Sequence, residues 1–332
     1  MKHITCNIQK NFIVFVLCAT CYMLYATCVS AQQVNLSLDP PIVQAKIKSG
    51  KSIIVAYTIE NMGDPINLQL LIRPFTPVGQ LGSLSVAEQL EGPVQFNLEN
   101  ADLTLEKPFF FPSKEKRQAV VRIQVPLGVP DSDYYYLVLA ETVPAFSIAG
   151  QSTGITSASI GSPLLISVTE SGITETKATI VEFSFKPDYT FTIGNSIVRI
   201  VDNAKELPIV CSVQNMGKNL IQPQGTITDQ SSTLKKTYTI IPQNILSNSQ
   251  RIIKVSSDEN NNQTDSTLVL SHLSVGSHRI TAEISFGENS SRQYKMFSFF
   301  ALPLRLMVIS FIVLIMVNIM FIIRFLTKKN RK

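Results

Sequence analysis

A recurring hexapeptide constrains this chain more than any other feature. Thr58-Ile59-Glu60-Asn61-Met62-Gly63 returns as Ser212-Val213-Gln214-Asn215-Met216-Gly217, so the body reads as two copies of one unit. The register extends backwards. Ile53, Val55, Tyr57 and Ile59 alternate along one copy, and Leu207, Ile209, Cys211 and Val213 along the other. Period-two alternation of branched and aromatic residues predicts a half-buried strand. Asn-Met-Gly then breaks it, because Asn and Gly tolerate turn conformations.

Each copy continues in strands. The first predicts them at 68–73, 119–125, 134–140 and 164–168. The second predicts them at 225–228, 238–241, 251–255 and 278–286. No helical period of useful length lies between the termini. The expectation is an all-β fold of two tandem Ig-like β-sandwich domains, 32–171 and 172–301. The polar joint at 171–178 predicts some hinge motion between them.

The ends read as addresses. Residues 1–31 resemble a signal peptide. Lys2 and Lys10 precede an uncharged apolar run, and Val29-Ser30-Ala31 places small residues before Gln32. An uncleaved anchor and a lipoprotein at Cys28 are the competing readings. Residues 306–323 carry no charge between Arg305 and Arg324. At ~1.5 Å per residue they reach most of the way across a bilayer core, so a transmembrane helix is expected over 302–326. The tail at 327–332 holds Lys328, Lys329, Arg331 and Lys332. The positive-inside rule makes it cytoplasmic and the body extracellular. Asn318 is the strongly polar residue of the span. It is a candidate contact to a partner helix, the basis for an alternative role as an accessory subunit of a membrane complex.

Charge excludes one class of function. The net +5 comes from the ends, which hold 8 of the 29 basic residues and no acid. The body keeps 21 basic residues against 24 acidic ones, so nucleic-acid binding is not expected. Cys6, Cys18, Cys21 and Cys28 lie in the signal segment, and Cys211 alone is in the body. No disulfide within the mature chain is expected, and Cys211, aligned with Tyr57, reads as a buried thiol.

Chemistry is sparse. His272 and His278 are the body's histidines, too few with Cys211 for a zinc site of recognisable spacing. His278 opens an alternating strand on its apolar face and reads as a core or rim residue. The acidic run at 258–265 lacks the glycine and the terminal glutamate of an EF-hand loop. Asp131 and Asp133 precede Tyr134 and read as turn formers. No phosphate-cradling loop is present. No catalytic residue, metal site or cofactor is therefore expected.

Binding is the remaining class. Two segments, 75–93 and 144–163, read as long loops rich in small residues, and such loops on rigid sandwiches carry contacts. Their candidate residues are Thr76, Gly79, Gly82, Phe146, Gly150, Gly154 and Gly161. Tyr134, Tyr135 and Tyr136 alternate in a strand and form a candidate aromatic face.

The layout resembles the bacterial cell-surface proteins called WxL-interacting proteins. The matching residues are Asp39-Pro40, Gly50, Asn61, the Thr76-Pro77-Val78-Gly79 turn and the strand that ends Val125-Pro126. In the second copy they are Asn215-Met216-Gly217 and the segment from Gly276 to Ala282. Tyr134-Tyr135-Tyr136 stands where that family has a glycine-rich stretch, and the chain has no Trp. The resemblance implies a peptidoglycan-binding first domain and a second domain that binds a surface protein. The expected function is a membrane-anchored, non-catalytic cell-surface scaffold. Its first sandwich engages cell-wall polymer or a surface protein partner.

Overall fold

The computed structural model describes residues 33–143, 158–257, 268–287 and 290–329. The expected signal segment, Phe146, Gly150, Gly154 and the whole acidic run at 258–265 fall outside them. The first ten strands are β1 (Leu36–Asp39), β2 (Val43–Ile47), β3 (Ser52–Asn61), β4 (Ile66–Val78), β5 (Ser83–Val86), β6 (Gln95–Leu98), β7 (Phe109–Phe111), β8 (Lys116–Gln124), β9 (Ser132–Thr142) and β10 (Ser159–Val168). They form a sheet ordered β1-β3-β8-β6 and a second ordered β2-β10-β9-β4-β5, with β7 also on β4. Alternation buries one face of each sheet. Tyr57, Ile59, Leu68, Ile72, Phe111 and Tyr136 fill the space between.

Eleven further strands follow: β11 (Ala178–Phe185), β12 (Tyr189–Ile193), β13 (Ser196–Asp202), β14 (Leu207–Asn215), β15 (Gln224–Ser231), β16 (Lys235–Ile240), β17 (Gln250–Ile252), β18 (Val255–Ser257), β19 (Leu268–Leu270), β20 (Gly276–Ser285) and β21 (Gln293–Leu302). One sheet runs β11-β14-β17, with β19 also on β14, and the other runs β12-β13-β21-β20-β15-β16-β18. Cys211, Val213, Ile227, Ile280 and Phe299 belong to the second core. Burial pushes the Cys211 thiol up to about 12. The molecule is thus all-β, two Ig-like sandwiches in tandem, followed by α1 (Leu304–Lys329). Over Leu304–Arg324 this helix has a mean hydropathy of 3.0, long and apolar enough to cross a membrane.

The recurring hexapeptide forms the same corner twice. Asn61 is fully buried, and its Nδ2 donates to the carbonyls of Asp64, Phe111 and Pro112 at 2.8, 3.2 and 3.0 Å. Its Oδ1 accepts from the Gly63 N–H at 3.0 Å. In the second copy Asn215 Nδ2 donates to Asn219, Ile245 and Leu246 carbonyls at 2.8, 3.1 and 3.1 Å, and Oδ1 accepts from Gly217 at 2.9 Å. One amide therefore serves main-chain groups from two separate segments where a strand leaves its sheet. Gly63 follows because a Cβ there would stand 2.2 Å from the Gln33 carbonyl oxygen.

Two sequence expectations are corrected at this level. The segment 75–93 is not an irregular loop: β4 continues through Pro77 to Val78 and turns back as β5. β4 pairs with β9 only as far as Pro74 and with β5 only from Phe75. At Pro77 the strand has one neighbour, so a residue without an N–H is tolerated. Gly161 likewise lies inside β10, opposite Leu139 of β9.

Candidate binding surface and the interface that holds it

β5 is the outer strand of its sheet among the described residues, and its hairpin with β4 faces solvent with apolar side chains. Leu81 is 63% exposed, and Val78, Leu84, Val86 and Leu90 are also exposed. Thr76 sits within β4 opposite Ser85, while Gly79 and Gly82 bound the turn with φ of +68° and +88°. The turn rests on the second sandwich. The Ile252 N–H of β17 donates to the Gln80 carbonyl at 2.9 Å. Gly82 packs against the Arg251 guanidinium, and its φ of +88° is what favours glycine there. Arg251 is held in place by a bond to the Asn244 carbonyl at 2.8 Å.

The hairpin is steadied at its base by a contact between the sandwiches. Asp133, at the start of β9, is buried. Its Oδ1 accepts from Asn219 Nδ2 at 2.7 Å, and its Oδ2 accepts from the Leu220 N–H at 2.5 Å and the Tyr135 hydroxyl at 3.1 Å. The same hydroxyl accepts from the Ser247 N–H at 2.9 Å. Asn219 Oδ1 in turn holds the Glu175 N–H of the joint at 3.0 Å. Around this hub Phe75, Leu165 and Leu246 are buried, with Tyr135, Leu137 and Leu220 packed on them. Phe75 and Tyr135 stack with ring centroids 5.9 Å apart. Burial and the Asp133 charge both hold the Tyr135 hydroxyl well above the usual tyrosine range.

This arrangement corrects the expected aromatic face. Tyr136 lies in the first core, edge-on to Phe96 at 4.7 Å. Tyr135 is covered by the second sandwich, and Tyr134 is half-buried with its hydroxyl on the Pro130 carbonyl at 3.2 Å. The strand period places the three rings on alternating faces; Tyr135 and Tyr136 are both covered, so the three do not form an open aromatic sheet face. The expected hinge is also replaced by a hydrogen-bonded, apolar contact. Asp133, read from sequence as a turn former, is its centre. The signal available was a carboxylate at the head of an otherwise apolar strand.

Opposite the hairpin, a cleft of ≈ 540 Å³ opens between the sandwiches, lined by Gln44, Lys46, Ser167, Thr174, Gln222 and Phe286 among others. In α1 the Asn318 side chain donates to the Leu314 carbonyl at 2.7 Å, so its amide N–H is engaged within its own helix.

The histidine–carboxylate pair found in the second core among the described residues is structural. His278 is buried and stacks on Phe299 with centroids 5.1 Å apart. Nδ1 donates to Asp229 Oδ1 at 2.9 Å, and Nε2 donates to the Ser274 carbonyl at 2.8 Å. A ring that donates from both nitrogens is an imidazolium and offers no base to the Ser274 hydroxyl. Burial opposes that charge, but Asp229 and the Ser274 carbonyl outweigh it and hold the pKa above the ordinary histidine value. The folded value lies above the unfolded one of about 6.5. The stabilisation is full below that pH and is lost as pH rises through the folded value. The thermal midpoint is expected to fall as pH rises above about 6.5 and through the folded value. Melting curves of wild type and His278→Gln check this; an equal pH slope in both would show the pair to be neutral.

No protein-family model and no curated protein matches the sequence. Among solved structures the chain is similar to the class 5 fimbriae chaperone CfaA, at 11% identity, a TM-score of 0.34, and coverage of 81% of this chain and 100% of that one. It is similar to a chain of the Salmonella enterica SafA pilin–SafB chaperone complex, at 12%, 0.34, and 81% and 99%. It is also similar to the Pseudomonas aeruginosa CupB2 chaperone, at 10%, 0.32, and 79% and 100%.

Proposed function

We propose that this chain is a membrane-anchored, non-catalytic cell-surface scaffold whose first sandwich takes a protein partner at the β5 edge. The observation that carries the reading is the character of that edge. Ser83-Leu84-Ser85-Val86 has no charge and no proline, and Val78, Leu81 and Leu90 extend the exposed apolar surface beside it. Sheet edges in soluble proteins are ordinarily blunted by charge or proline; β2, the opposite edge of this sheet, carries Lys46. An edge left apolar and unblunted suits an extended partner segment. Main-chain hydrogen bonds would supply affinity, and side chains at alternate positions would supply specificity. α1 supports the anchor, and the basic residues Lys328, Lys329, Arg331 and Lys332 support a cytoplasmic tail with the body outside. Binding rather than chemistry is supported by the His278 geometry, which commits both ring nitrogens to structural bonds.

The test places a photo-crosslinking residue at Leu84, and separately at Asn97 on the exposed side of β6, in the full chain on intact cells. A discrete protein adduct at position 84, absent at 97 and lost when Val86 is also changed to Asp, is the expected result. The other occupant implied by the resemblance is cell-wall polymer. Retention on purified peptidoglycan that Val86→Asp leaves unchanged, with no protein adduct at 84, would reject the β5 reading in favour of polymer bound elsewhere on the body.

A further inference from the structure

The sheet that leads into α1 has an apolar outer face of its own. The register aligns Tyr189 with Ile200 and Ile200 with Phe300 across β12, β13 and β21, and Phe191 with Val198 one pleat further on. These side chains share the face opposite the core residues Phe299 and Ala301. Tyr189, Phe191, Ile193, Met296 and Phe300 are 55, 49, 68, 65 and 46% exposed. The Tyr189 and Phe191 rings stack with centroids 6.4 Å apart. On this face of the three strands charge is confined to Asp202, at the helix end of β13; away from the helix it begins on β20 with Arg279 and Glu283. β12 is the outer strand of its sheet among the described residues, and Tyr-Thr-Phe-Thr-Ile has no charge to blunt it. Contiguous exposed apolar surface of this kind marks a contact with something.

Its position says with what. β21 passes into α1 with only Pro303 between them. β13 runs parallel to β21, so its end, Asp202, lies at the helix start and pairs with Arg305 at 3.3 Å. Tyr189 and Leu304, Val308 and Ile309 of α1 line one recess of ≈ 590 Å³. Tyr189 therefore stands beside the first two turns of the helix, at the level where a bilayer would begin. The same recess holds the ion pairs Asp188–Lys205 and Asp202–Arg305, so a charged ring lies between the apolar face and the apolar surface of the helix, at the height of the headgroups.

We infer that the Tyr189–Phe191–Ile193–Phe300 face seats in the headgroup–acyl boundary of the bilayer that α1 crosses. The second sandwich then lies against the membrane instead of standing off it. The inference rests on α1 being a membrane anchor. Tyr189 suits this depth because its ring meets lipid while its hydroxyl stays wet, and Phe191, Ile193 and Phe300 supply the apolar area that inserts. With both sandwiches joined at Asp133, such seating also sets the direction in which the β5 hairpin faces.

The chain has no tryptophan, so a single introduced one reports without background. Full-length Phe191→Trp is reconstituted in phosphatidylcholine vesicles with acyl chains brominated near the headgroup. Phe311→Trp in α1 and Leu84→Trp on β5 are the comparisons, and Tyr189→Trp is a second reporter should Phe191→Trp fail to fold. Emission at 191 is expected to be blue-shifted and quenched by the bromines, as a side chain buried in the headgroup–acyl boundary would be, with 311 quenched in mid-chain brominated lipid and 84 in neither. Quenching at 311 with none at 191 would overturn the seating and leave the anchor intact. A blue-shifted but unquenched 191 would assign the face to a protein or a second copy, and would overturn it too. No quenching at 311 would remove the anchor, and the inference with it.

Discussion

Asn215→Ala is expected to destabilise the second sandwich by about 3–5 kcal/mol, and Asn61→Ala to do the same to the first. Each side chain is fully buried and donates to three main-chain carbonyls while accepting from one main-chain N–H. Alanine removes the acceptor of the glycine N–H and a donor to each carbonyl; the Ile245 and Leu246 carbonyls keep the Ile221 and Ser249 donors, and each group left unpaired costs about 1–3 kcal/mol before relaxation. The Asp variants sharpen the test. A carboxylate keeps the bond from Gly63 or Gly217 but turns oxygens towards three carbonyls. Asn61→Asp and Asn215→Asp should therefore be no more stable than the alanine variants. Urea unfolding of the four proteins decides it; alanine values within about 1 kcal/mol of wild type would show that water or the chain replaces the amide.

Asp133→Ala is expected to uncouple the unfolding of the two sandwiches. The carboxylate binds the Asn219 amide, the Leu220 N–H and the Tyr135 hydroxyl. Two of those partners lie in the second sandwich, and Tyr135 reaches Ser247 beyond. Losing a buried, charged acceptor strands its donors, at about 2–4 kcal/mol of coupling. Calorimetry on the full chain should change from one cooperative transition to two, because each core is otherwise self-contained. Asn219→Ala removes a single arm of the hub and should fall between. Two transitions already present in wild type, unmoved by Asp133→Ala, would show that the contact does not transmit stability.

The two predictions concern residues that were unequally visible in the sequence. The repeat marked Asn61 and Asn215 as equivalent, and the alternation before them placed Tyr57 and Cys211 inward; both are buried. Its role as a corner was hidden, because Phe111, Pro112, Ile245 and Leu246 come from segments far along the chain. Asp133 was misread for a related reason. A carboxylate before a strand is most often a turn former, and only the docking of a second body gives it buried donors.

The β5 hairpin shows the same limit. Pro74, Pro77, Gly79 and Gly82 carry turn chemistry, and turn chemistry alone predicts a loop. It is a strand because β9 and β5 take successive stretches of β4, which leaves Pro77 only one neighbour to satisfy. The outer face of β12 and β21 was likewise unread, since exposure depends on which neighbours a sheet acquires.

Local periodicity, the repeat and the uncharged terminal segment determined the fold class, the tandem plan, the inward-facing residues and the apolar helix, because each is written within a few residues of itself. The tertiary structure alone decided that the tyrosine strand is closed, that the joint is held, and that β5 and β12 remain as apolar edges. Those depend on surfaces brought together from distant parts of the chain, where the alternation of a strand says which side a residue faces but not what meets it there.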